Sequence, residues 1–168
     1  MNYELRELQI EDGGELLQMI QEIGGGGNGF VNSLYADNMD QFKRKLVKNF
    51  ETSRGINLLP NMVPQTIYWL YVNGIPVGYG KFRHYLTDAL REHGGHIGYC
   101  IRPTARKQGY ATILLQEILT QAKRKGLTEV LLTCDDDNIG SRKVIENNRG
   151  VLEKVQNGSC YYWIYLEN

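Results

Sequence analysis

The order of apolar and polar residues predicts an alternation of strands and helices along nearly the whole chain. Tyr3 and Leu5, then Leu8 and Ile10 after a shift, mark a first strand, and Leu16, Leu17, Ile20 and Ile23 recur at helical spacing behind the acidic cap candidates Glu11 and Asp12. Gly24-Gly25-Gly26-Gly27-Asn28-Gly29 ends that helix and predicts a mobile loop, because glycine carries the largest conformational freedom of any residue. A phosphate-cradling role would need a preceding strand and a following Lys-Ser/Thr, and both are missing. From Met39 to Thr52, Phe42, Leu46, Val47 and Phe50 share one face of a second helix whose other face is basic and solvated.

Residues 66–72 and 75–85 are rich in β-branched and aromatic side chains and flank Asn73-Gly74, a strong hairpin signal. A further strand, His96 to Ile101, stops at Arg102-Pro103, since proline cannot donate to a ladder. Ala111, Ile113, Leu114, Leu115, Ile118, Leu119 and Ala122 then place a continuous stripe on a long helix closed by Lys123-Arg124-Lys125-Gly126. The apolar run from Val130 to Cys134 reads as a strand covered on both faces. Ser141 to Asn148 is a short helix, and 151–156 with 160–166 around Asn157-Gly158 form a closing hairpin.

The order is β-α-α-β-β-β-α-β-α-β-β. It predicts an α/β fold of the mixed α+β kind, one domain over residues 1–168, with a mostly antiparallel central sheet and helices on both faces. The single strand-helix-strand crossover makes 96–101 and 129–134 parallel neighbours, and ligands of such sheets gather at the carboxyl ends of these strands.

Composition narrows the function. At 168 residues, 42% hydrophobic and 23% charged, the chain has the make-up of a globular domain. Its 19 basic and 19 acidic side chains cancel, so no global field favours nucleic acid or a membrane surface as partner. The first residues lack the basic start and apolar run of a signal peptide, and the expected location is the cytoplasm. Cys100, Cys134 and Cys160 are odd in number and set in apolar runs, which fits reduced core thiols better than a disulfide or zinc site. No metal is expected: Asp135-Asp136-Asp137 are consecutive loop carboxylates of the kind that mostly face solvent.

The most informative stretch is Ile101-Arg102-Pro103-Thr104-Ala105-Arg106-Lys107-Gln108-Gly109-Tyr110-Ala111-Thr112, which runs from strand into helix. The first helical turn offers unpaired N–H groups and the positive end of the helix dipole; Gly109 and Ala111 let a ligand approach, and Arg106, Lys107 and Gln108 add donors. An anion is expected there. The pattern Arg106-x-x-Gly109-x-Ala111, after an apolar strand ending in Pro103, resembles the acetyl-CoA pyrophosphate loop of the GCN5-related N-acetyltransferase (GNAT) superfamily. The element order is similar to that family's throughout. Val63-Pro64-Gln65-Thr66 through Trp69, Arg83-His84, Gly94-Gly95-His96-Ile97-Gly98-Tyr99, and Asp137-Asn138 with Ser141 and Ile145-Glu146 look like a bacterial subgroup of predicted acetyltransferases.

The resemblance implies acetyl-CoA as co-substrate, a small-molecule or peptide amine as acceptor, and direct attack on the thioester; it also allows a homodimer. Backbone N–H groups of Gln108, Gly109, Tyr110, Ala111 and Thr112 would hold the pyrophosphate, and Ile101 would pair with pantetheine as an added strand. Asn138 would bond the pantetheine arm, with Ser141 as the small residue three positions on; asparagine also caps helices well. His96 is the leading base, against a structural role in which it bonds a neighbouring strand, and His84 is second. The backbone N–H of Cys100 is expected to meet the oxyanion. The family's usual general-acid tyrosine is replaced by Ile145, which leaves Tyr161, Tyr162, Tyr165 or an unassisted thiolate for that step. The alternative function is a non-catalytic domain that senses CoA or its thioesters. A nucleotide-binding or phosphoryl-transfer protein would need a P-loop lysine, which the chain lacks.

Overall fold

The computed structural model describes residues 1–27 and 29–167. Its elements are β1 (Tyr3–Glu7), α1 (Gly14–Ile23), β2 (Gly26–Gly27), β3 (Phe30–Val31), α2 (Met39–Ser53), β4 (Gln65–Val72), β5 (Ile75–Arg83), α3 (Asp88–Glu92), β6 (Ile97–Ile101), a 3-10 turn (Pro103–Ala105), α4 (Tyr110–Arg124), β7 (Glu129–Asp135), α5 (Ile139–Asn147), β8 (Val151–Gln156) and β9 (Ser159–Tyr165). The predicted order is present. The structure adds the short helix α3 and pairs Gly26–Gly27 with Phe30–Val31 as a small hairpin, where the glycine run predicts only a loop. Asn28, part of that predicted loop, lies outside the described residues. The cap predicted at Glu11 or Asp12 is also absent: α1 starts after Gly13 with no side-chain cap, and the Asp12 carboxylate instead accepts from Gln9 N–H and Trp69 Nε1–H.

The strands form an antiparallel sheet β1-β4-β5-β6 and a second antiparallel sheet β7-β9-β8. β4 is buried on both faces because its alternate residues feed two cores. Ile67, Trp69 and Tyr71 join Leu16, Met19, Ile20, Phe42 and Leu46 under α1 and α2. Tyr68, Leu70 and Val72 join Leu114, Leu115, Ile118 and Ala122 of α4, with Val130 and Leu132 of β7 continuing that core under the second sheet. The helices thus lie on both faces, and α4 spans the boundary between the two sheets.

Candidate active site

The site is set by how β6 and β7 part. They meet only at the start of β6, where the His96 N–H donates to Leu131 O at 2.8 Å and the Leu131 N–H donates to His96 Nδ1 at 2.9 Å. Gly95 permits this approach: at φ 60 it holds a left-handed backbone, and a Cβ there would lie 2.3 Å from Leu131 O. Beyond this point β6 stays with β5 and β7 goes with β9, which leaves a V-shaped gap.

Ladder parity determines which backbone groups line the gap. Arg83 N–H donates to His96 O at 2.7 Å and Arg102 N–H donates to Val77 O at 2.8 Å, with one-to-one register from Phe82–Ile97 to Gly78–Ile101. In an antiparallel ladder alternate residues turn their N–H and C=O to the partner. Residues 96, 98, 100 and 102 therefore face β5, while Ile97, Tyr99 and Ile101 turn theirs to the gap. This corrects the expectation for Cys100, whose N–H is turned to β5. The residue is part of the cleft wall, and burial pushes its thiol pKa up. Ile101 keeps its expected direction, with its carbonyl accepting from Arg106 Nε at 3.0 Å.

A cleft of about 540 Å³ opens at the wide end of the V. Its walls include Ile101, Arg106, Lys107, Gly109, Tyr110, Ala111 and Thr112 from the loop and start of α4, and Asn138 and Ser141 from the start of α5. All the cofactor residues read from sequence are gathered here except Gln108, whose side-chain oxygen accepts from the Tyr110 hydroxyl at 3.2 Å and whose side chain is not part of the wall. Gly109, at φ 84, caps α4 in the left-handed region, and no atom lies within 4 Å of where its Cβ would be. The space beside Gly109 is thus open at the start of α4, where the first-turn N–H groups have no partner within the helix. Glu22 of α1 steadies the loop by accepting from Arg102 Nη2 (2.9 Å), Thr104 N–H (2.9 Å) and the Thr104 hydroxyl (2.7 Å). Burial alone would raise its pKa, but these donors outweigh it and hold the carboxyl at about 2. The Asn138 side chain caps α5 by accepting from Ser141 N–H at 3.2 Å, and it lines the cleft as well.

A second cleft of about 220 Å³ lies on the other side of the V, under the β2–β3 hairpin, with Lys81, Arg83, His93, Gly98 and Asp135 in its walls. The two clefts share Phe30, Tyr99 and Ser141. At this shared wall the Tyr99 hydroxyl lies 2.8 Å from Ser141 Oγ, and burial raises its pKa. Burial, then the neighbouring Arg83, draws the Lys81 ammonium down to about 8. The Asp triplet is read only partly correctly from sequence: Asp135 is exposed but forms part of this wall. Cys160 is a buried thiol as expected, whereas Cys100 and Cys134 are half-buried and line the clefts.

The histidine expectations change. His96 lines neither cleft and is 6% exposed. Its Nδ1 lone pair is held by Leu131 N–H, so in the neutral ring the proton sits on Nε2 and no lone pair is free to take another. Burial first, then Arg91 and Arg83, lowers its pKa to about 4. These surroundings support the strand-bonding role, not the base. His84 is paired through Nε2 to Thr66 Oγ1 at 2.7 Å, outside both clefts. Of the tyrosines considered as acids, Tyr162 donates to Glu146 and Tyr161 to Glu92 O, while Tyr165 lies opposite Glu129, at the end of β7 remote from Asp135. Sequence reasoning missed Tyr99, Lys81 and His93 as cleft residues. Tyr99 and Lys81 carry only strand alternation as a signal, which does not tell which side a gap opens on.

Among the described residues no helix is long and apolar enough to cross a membrane, and no group of three or more His, Cys, Asp or Glu is arranged to hold a metal ion.

The model of the acetyltransferase (GNAT) family matches residues 31–151. The chain is similar to an uncharacterized N-acetyltransferase of Bacillus subtilis, YjdG, at 25% identity over 151 residues, which is 89% of this chain and 83% of YjdG. Its fold is similar to that of RimL, a ribosomal L7/L12 alpha-N-protein acetyltransferase solved with coenzyme A, with TM-score 0.72, 19% identity and coverage of 98% of this chain and 94% of RimL. It is also similar to Campylobacter jejuni N-acetyltransferase PseH in complex with acetyl coenzyme A, with TM-score 0.67, 11% identity and coverage of 99% and 100%.

Proposed function

The chain belongs to the acetyltransferase (GNAT) family and is an N-acetyltransferase, and we propose that acetyl-CoA occupies the larger cleft while the acceptor amine enters through the smaller one. The observation that carries this reading is the meeting of the two clefts at Tyr99 and Ser141, beside the gap-facing backbone of β6. A transferase needs two approaches that end on one reacting carbon.

Arg106 and Lys107, with the open N–H groups behind Gly109, suit the diphosphate of CoA. The Ile101 N–H extends that contact along β6 by strand addition to the pantetheine amides. The N–H of Tyr99, nearer the junction, takes the role expected of Cys100 and receives the oxygen of the thioester carbonyl as charge develops on it. As the amine nitrogen bonds to that carbon and the C–S bond breaks, the Tyr99 hydroxyl gives its proton to the departing sulfur. This fills the place left by Ile145, which is buried in the core. The nitrogen gives up its second proton to water in the smaller cleft as the amide forms, and Ser141 Oγ, which holds the Tyr99 hydroxyl, relays a proton back to it from that water.

An amine must lose its proton before it attacks, since an ordinary alkylammonium with pKa about 10.4 is neutral in only about one molecule in a few thousand at pH 7. With His96 committed to Leu131, the proton leaves through water in the smaller cleft, whose wall carries His93 and Asp135. Acetyl-CoA at a hundredfold excess over its dissociation constant should stabilise the fold by about 2.7 kcal/mol. Thiol release should depend on an added amine. A protein whose melting temperature ignores millimolar acetyl-CoA would not be this enzyme, and one that binds it but releases no thiol with any amine would be a sensor.

A further inference from the structure

The smaller cleft holds two cations that, among the described residues, form no ion pair. Lys81 is only 6% exposed; its Nζ donates to Val31 O at 2.7 Å and lies 4.8 Å from the centre of the Phe30 ring. One of its three N–H groups therefore clamps the hairpin, and two remain. Arg83, two residues along β5 on the same face, donates through Nη1 to Gly94 O and Gly95 O, both at 3.2 Å. Among the described residues, its Nη2 and Nε have no hydrogen-bond partner, and no carboxylate pairs with either cation. Lys81 is buried without a counter-ion, which is unfavourable, while Arg83 is half-buried and keeps its free N–H groups accessible from the cleft; a bound anion answers both. Asp135, on the other wall, is the complementary feature: a carboxylate that attracts the ammonium form of an incoming amine.

Resting on the acetyl-transfer reading of this site, we propose that the acceptor is a small amino acid, whose carboxylate is bound by Lys81 and Arg83 and whose amine points to Tyr99. Lys81 stands opposite Gly98 in the β5–β6 register, and Gly98 is the residue before Tyr99. The cationic wall and the gap-facing backbone of Tyr99 therefore border the same small cleft. A volume of about 220 Å³ suits a small amino acid and is below the roughly 300 Å³ where pockets for drug-sized ligands begin.

The test compares each common amino acid with its own carboxamide as acceptor, by thiol release from acetyl-CoA. At least one acid should exceed its amide in kcat/KM by about tenfold or more, the scale of a lost charged hydrogen bond. Amides carry the less basic amine, so an acid preference arises against the intrinsic trend. Lys81→Met and Arg83→Met should each shrink the acid-to-amide ratio towards one. Amides equal to or better than acids in every pair would overturn the proposal. So would an equal loss on acid and amide in Lys81→Met, which would make Lys81 a general base instead. Silence from the whole panel while acetyl-CoA still raises the melting temperature would also overturn it and leave the transferase to other amines; loss of that temperature shift would strike the transferase reading itself.

Discussion

Replacing His96 by alanine should damage stability and leave the chemistry in place. The substitution strands the Leu131 N–H in the interior, which costs about 1–3 kcal/mol, and removes a buried ring that contributes about 1 kcal/mol more through packing. A loss near 3 kcal/mol in a chain of this length lowers the melting temperature by roughly 6–12 °C. The pH dependence gives a second, independent signature. The folded pKa of about 4 lies below the ordinary value of 6.5, so between these values the unfolded chain binds the extra proton. The stabilisation from neutral His96 is complete above pH 6.5, shrinks as pH falls, and is gone below about 4; the span is about 3 kcal/mol. Alanine should flatten that limb. The assay is denaturant unfolding of wild type and variant from pH 4 to 7.5, paired with the turnover number of the folded fraction from pH 5.5 to 9. A turnover loss of about a hundredfold with unchanged stability would refute this reasoning and restore His96 as the base.

Tyr99→Phe should lower the turnover number by roughly ten- to a hundredfold with little change in acetyl-CoA affinity, because it removes the proton donor at the junction and leaves the cleft walls in place; single-turnover thiol release checks this, and an unchanged rate would discard the donor role. Gly109→Glu should abolish the acetyl-CoA melting shift while the protein stays folded, since its side chain projects into open space at the cleft and the left-handed backbone costs about 1–2 kcal/mol; isothermal titration with acetyl-CoA is the measurement, and retained affinity would move the diphosphate elsewhere.

What the sequence made legible follows from which features are local. The long apolar stripe of α4, the Asn73-Gly74 hairpin and the turn ending in Gly109 are written in neighbouring residues, and each stands where the pattern puts it. Much of the larger cleft was legible for the same reason, since one wall is a continuous segment plus the cap of α5, whereas Ile23, Gly26, Gly27 and Phe30 on the facing wall were not. The Cys100 expectation failed because side-chain alternation fixes faces, whereas the direction of a backbone N–H depends on which edge of β6 has a partner. His96 could not be resolved from sequence, since its role is set by Leu131, thirty-five positions away. The glycine run hid the β2–β3 hairpin: two-residue strands have no periodicity, and the Lys81 clamp that holds Val31 comes from a distant strand. Tyr99 was overlooked because its value lies in standing where two clefts touch, a property of assembly.

The divergence of β6 from β7 places two unsatisfied strand edges inside the molecule, facing each other across the V. Such edges are ordinarily templates for other chains, and proteins guard them with charge, proline or a covering element. Here Arg102-Pro103 ends β6 and the Asp135-Asp136-Asp137 run ends β7, so both edges stop in residues that a foreign strand pairs with poorly. On β6 only Ile97, Tyr99 and Ile101 turn their amides to the gap, a ladder long enough for a guest with a few amides and short for an added polypeptide strand. Selectivity against aggregation and the capacity to seat an amide-bearing arm come from the same pair of unfinished strands.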